Sequence, residues 1–157
     1  MLQKTSPFLI LILSMAGVGL TEISVSWSFY YWFGAYLATG ILFIVQDKAS
    51  AKESARESAT MQHTLHWIGA MAALALVFLF IRTERVDASQ AGLMAVLLLG
   101  FAVFTDGLRI HLRYMLVGIY LFITVAIMAY IETYIWWFLL LSVALIALEI
   151  YWMRKSA

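Results

Sequence analysis

Six runs of apolar residues divide the chain, at Pro7 to Val25, Trp27 to Val45, Thr64 to Ile81, Ala88 to Thr105, Tyr114 to Ile131 and Tyr134 to Trp152. Each matches one crossing of a bilayer, because a hydrocarbon core about 30 Å thick takes about 20 residues of helix. Backbone inside lipid has to satisfy its own hydrogen bonds, so runs of this length predict helices and not isolated strands. The pattern predicts an all-α, polytopic integral membrane protein, with six transmembrane helices in a single transmembrane domain over residues 1–157. Pro7, the only proline, falls at a helix start, where its missing N–H costs nothing. A second apolar run follows the first directly, with no small-residue cleavage site between them, which predicts a retained helix in place of a removable signal peptide.

The joints between runs are short, except for residues 46–63. The core of that stretch, Asp47 to Glu57, is alanine-rich, glycine-free and dressed with charges of both signs. It predicts a charged helical loop that prolongs the second helix into water.

Basic residues divide unevenly between the two sides that alternate runs define. Lys4, Lys48, Lys52, Arg56, Arg109, Arg113, Arg154 and Lys155 fall on one side, and only Arg82 and Arg85 on the other. By the positive-inside rule both termini are expected in the cytoplasm, and the protein in the inner (cytoplasmic) membrane as a multi-pass chain. Trp27, Tyr30, Tyr31 and Trp32 at one boundary, and Trp67, Tyr114, Tyr151 and Trp152 at the other, read as aromatic belts.

Composition narrows the function. Of 157 residues 64% are hydrophobic and 12% charged, against roughly 25% charged in an ordinary soluble domain, so lipid is the expected surrounding partner. The net charge of +1 offers no basic surface for nucleic acid. The absence of cysteine removes disulfides, thiolate metal sites and cysteine nucleophiles. Asparagine is absent too, and with it N-glycosylation.

At an offset of 84, Thr21, Glu22, Tyr30, Gly34, Tyr36 and Leu37 align with Thr105, Asp106, Tyr114, Gly118, Tyr120 and Leu121. Both segments cover the joint between the first two helices of a three-helix unit, which makes a 3+3 inverted repeat a candidate architecture. Glu22 and Asp106 would then occupy equivalent boundary positions, as candidate gate or coupling carboxylates. Ser14, Thr39, Thr124 and Ser142 supply polarity at mid-depth, either lining a path or hydrogen-bonding to their own helices.

Gly34 with Ala38, and Gly69 with Ala73, stand four apart and read as helix-packing faces. His63 and His66 share a helix face and, with His111, are the weak candidates for a metal site, although no recognised metal motif accompanies them. Arg109 and Arg113 are matched to anionic lipid headgroups. No glycine-rich phosphate loop, nucleophile elbow or close acid pair is present, so neither an enzyme nor a cofactor is expected. The sequence predicts a small transport- or channel-type protein for a solute or ion, as a homo-oligomer or part of a membrane complex. The competing expectation is an accessory, assembly or immunity-type subunit that binds another membrane protein.

Overall fold

In a computed structural model, the backbone is described over residues 2–50, 56–110 and 112–131, and the side chains over 9–46, 60–110 and 112–131. Five helices account for nearly all of these residues: α1 (Leu2–Ile23), α2 (Val25–Ser50), α3 (Arg56–Arg82), α4 (Ala88–Ile110) and α5 (Leu112–Ile131). Val25–Gln46, Thr60–Arg82, Ala88–Ile110 and Leu112–Ile131 are long and apolar enough to cross a membrane, and Leu9–Ile23 is a shorter apolar stretch. The second to fifth apolar runs therefore match spans of α2 to α5. The run at 134–152, with Ser142, lies outside the described residues, as does His111.

The chain divides into two compact units, Met1–Val125 and Ala126–Ala157. In the first, α1 packs on α2, α2 on α3 and α3 on α4, while α4 closes back onto α1 and also meets α2. The interior is built from large side chains, with Trp32, Tyr36, Phe43, Leu74, Leu99, Tyr114 and Leu121 all essentially inaccessible. The outer faces are apolar as well. On α3 alone Leu65, Ile68, Leu76 and Leu79 are at least half exposed. A helix that is hydrophobic all round belongs in lipid or in the centre of a large protein, and the length and apolarity of these spans fit lipid.

The joint between α1 and α2 is extremely short. Only Ser24 separates α1 from α2; its N–H donates to the Leu20 carbonyl and its own carbonyl accepts from Ser28 N–H, each at 2.9 Å. The two helices nevertheless fold against each other. The Tyr31 hydroxyl donates to the Leu13 carbonyl at 2.8 Å, and the Trp32 indole N–H donates to Thr21 Oγ1 at 3.0 Å. α4 and α5 also lie against each other, as the glycines between them require. A Cβ on Gly118 would sit 2.7 Å from the backbone nitrogen of Phe104, and one on Gly107 would strike the backbone of Tyr114 and Met115. Any side chain at either position would push the two backbones apart.

The joint between α3 and α4 is longer and is fixed by capping. Arg85 N–H donates to the Phe80 carbonyl at 2.9 Å and Glu84 N–H to the Ile81 carbonyl at 3.0 Å, with Glu84 at φ 55°. This is a Schellman closure with a glutamate in the left-handed position. Asp87 then caps α4, its Oδ1 accepting from Gln90 N–H at 2.8 Å.

The alignment at an offset of 84 is not the packing register. Glu22 is exposed and Asp106 buried; Tyr30 is exposed and Tyr114 buried; Gly34 is exposed and Gly118 buried. Tyr36 and Leu37 reverse the same way against Tyr120 and Leu121. The physical reason lies in the joints. Ser24 would be opposite Leu108, which is still inside α4.

Candidate functional site

Asp106 lies one turn before the end of α4 and has no exposed surface. The sequence places it at the boundary of a run ending at Thr105, but the helix continues to Ile110 and carries the carboxylate into the packed interior. A lone carboxylate in such surroundings is costly, so its partners decide whether it can stay ionised.

Both oxygens are occupied by groups from α3. Oδ1 lies 2.9 Å from His63 Nδ1, and Oδ2 accepts from the Trp67 indole N–H at 2.6 Å. His63 and Trp67 are four residues apart, so one face of α3 delivers both donors. Both are nearly fully buried. Trp67 in turn needs the absence of a side chain on α2, since a Cβ on Gly40 would come within 2.9 Å of its ring. The indole is held by close packing and aimed by its hydrogen bond.

A second buried polar contact adjoins the first through one aromatic ring. The Tyr114 hydroxyl on α5 donates to Gln46 Oε1 on α2. Phe43 stands between the two groups, its ring centroid 4.6 Å from that of Tyr114 and 5.7 Å from that of Trp67. Four helices thus bring Gln46, His63, Trp67, Asp106 and Tyr114 to one end of the bundle. His66 lies beside them on the α3–α4 seam, with Nε2 3.2 Å from the Ala102 carbonyl and 3.3 Å from Thr105 Oγ1.

The pair has a specific chemical capacity. With Nδ1–H donating, His63 and Asp106 form an imidazolium–carboxylate or imidazole–carboxylate contact; with the proton on the acid, they form a neutral pair. A proton can therefore be held or passed along the 2.9 Å line without leaving the interior. The Trp67 N–H fills the second carboxyl oxygen, so the proton is confined to the Oδ1–Nδ1 line.

The other sequence candidates are placed elsewhere. Glu22 is exposed near the end of α1. Ser14 and Thr39 are buried, but each hydroxyl donates to its own helix, to Leu11 at 2.8 Å and Ala35 at 2.7 Å. Thr124 does the same toward the Tyr120 carbonyl at 2.9 Å. Gly34 and Gly69 are exposed, and a Cβ on either would meet nothing within 4 Å; Ala38 is exposed and Ala73 half-buried. Arg109 and Arg113 are exposed at the end of the bundle where Asp106 lies. Among the described residues no group of three or more histidine or acidic side chains converges on a metal position, and His111 is not among them.

Trp67 and Tyr114, expected in an aromatic belt, instead bond to Asp106 and Gln46 in the interior. Trp27 and Tyr30, at 70% exposure, fit such a belt; Trp67 and Tyr114, at 4% and 1%, do not. The available signal was the spacing of His63 and Trp67, which gives one helix face two N–H donors inside an apolar run. No family model, curated protein or solved structure matches this chain, and its site is read from its own geometry.

Proposed function

We propose that this is a small transport- or channel-type protein of the inner membrane in which the Asp106–His63 pair carries a proton coupled to movement of a solute or ion. The observation that carries the reading is a fully buried carboxylate inside a candidate membrane span, with a titratable partner at 2.9 Å on the neighbouring helix. Ionisable groups within membrane segments are expensive and typically mark proton relays or ion pathways. The basic side chains on the 46–63 segment and at Arg109 and Arg113 support six crossings with both termini in the cytoplasm, and this would put the pair near the cytoplasmic face. Self-association of the chain belongs to the same reading.

The accessory-subunit reading draws on a different observation. The hydroxyls of Ser14, Thr39 and Thr124 are each satisfied within their own helices. The Gly34 and Ala38 face is exposed for contact with another membrane protein.

Purified protein reconstituted alone into liposomes containing a pH-sensitive dye separates the two. The transport reading expects proton flux under an imposed pH gradient and membrane potential, greatly reduced by Asp106→Asn. Absence of flux in the wild type at every imposed gradient would overturn it in favour of the accessory role.

A further inference from the structure

At the other end of α3 from His63, a cavity of about 250 Å³ opens between α2 and α3, lined by Val25, Ser26, Phe29, Tyr30, Phe78 and Arg82. Its composition is asymmetric. Phe29 and Phe78, whose ring centroids are 5.2 Å apart and edge to face, make an apolar wall, and Arg82 is the only charged group in the lining.

Arg82 closes the last turn of α3, where a cation is favoured by the helix dipole. The carbonyls of that turn do not need its guanidinium. Leu79, Phe80 and Ile81 already accept from the backbone N–H groups of Thr83, Arg85 and Glu84. Arg82 has no ion pair or side-chain hydrogen bond among the described residues, even with Glu84 two positions away. Five donors in a planar fork are therefore left at the cavity.

We infer that this cavity binds the phosphodiester headgroup of an anionic membrane lipid, with Arg82 on the phosphate and Phe29 and Phe78 against the glycerol and first methylenes. The volume is below the roughly 300–1,000 Å³ of pockets that enclose a whole drug-sized ligand, so it suits a headgroup whose chains stay outside. One guanidinium matches one negative charge. The cavity lies where the candidate span Thr60–Arg82 ends, at the depth of headgroups, and the exposed side chains of Leu76 and Leu79 on the same helix offer an apolar surface to acyl chains. A free phosphodiester or inorganic phosphate would share the charge contact but not that surface.

The test is native mass spectrometry of the delipidated full chain, titrated with phosphatidylglycerol or phosphatidylcholine, with inorganic phosphate as competitor. Phosphatidylglycerol should be retained over phosphatidylcholine. Arg82→Gln should weaken its retention about five-fold, the loss expected for one basic residue at an anionic surface. Arg82→Lys should recover most of it, and Arg85→Gln, outside the cavity, should leave it unchanged. Equal retention by Arg82→Gln and wild type would overturn the site. Displacement of phosphatidylglycerol by inorganic phosphate at equal concentration would overturn the lipid assignment in favour of a free oxyanion.

Discussion

His63 and Asp106, 43 positions apart in the chain, meet at 2.9 Å with almost no solvent reaching either side chain. A charge buried in this way is tolerated through its partners, and truncating one partner of a buried pair typically costs about 3–5 kcal/mol when the other is left charged.

Asp106→Asn should accordingly abolish most of the proton flux and lower stability by about 1–3 kcal/mol, the cost of an unsatisfied buried group, because the amide now presents N–H where one of two donors stood. Thermal unfolding in detergent and dye-based flux measure the two effects separately. Glu22→Gln, at an exposed position, should move stability by less than about 0.5 kcal/mol. A flux loss in Glu22→Gln as large as in Asp106→Asn would show that the exposed carboxylate also belongs to the pathway.

Trp67→Phe keeps a ring against Gly40 but deletes the donor to Oδ2. A hydrogen bond to a charged acceptor is worth about 1.5–3 kcal/mol, and a loss in that range is expected on denaturation. Trp67→Phe should also lower proton flux, since the carboxyl loses the contact that holds it toward His63. Unchanged flux with lowered stability would confine Trp67 to a packing role.

Gly118→Ala should disrupt the α4–α5 contact, since the added carbon would overlap Phe104 backbone atoms at 2.7 Å. Overpacking of this kind costs about 1–3 kcal/mol or more. Gly34→Leu enters open space and should leave the fold intact. In the proposed self-associated state it should instead shift the oligomer toward monomer, as read by light scattering of the detergent complex.

Ser14→Ala and Thr39→Val each remove a hydroxyl whose hydrogen bond returns to its own helix. Stability should change by less than about 1 kcal/mol, in line with measured side-chain hydrogen bonds in membrane helices. Flux should be unaffected in both. A marked loss would place these hydroxyls on a path in the moving protein.

The helices were legible because lipid demands long apolar runs and a self-satisfied backbone, which composition and spacing display directly. Asp106 was legible as a candidate carboxylate at the boundary of such a run. Its burial was not, because Thr105 and Asp106 look like the end of an apolar stretch while the backbone keeps winding to Ile110. The glycines that pack within one chain were not legible, for a related reason. Spacing alone cannot distinguish Gly34, which faces outward, from Gly40, Gly107 and Gly118, which touch a neighbour; only the facing residue decides. The roles of Trp67 and Tyr114 depended on partners from other helices, which no local pattern encodes.

With only Ser24 between them, α1 and α2 have little room to tilt independently. The five residues from Thr83 to Asp87 are longer but are held by the Schellman closure and the Asp87 cap, which fix α3 against α4 at that end. At the far end of the same seam His63 and Trp67 grip Asp106, and sliding there would uncouple donor from acceptor in a single stroke.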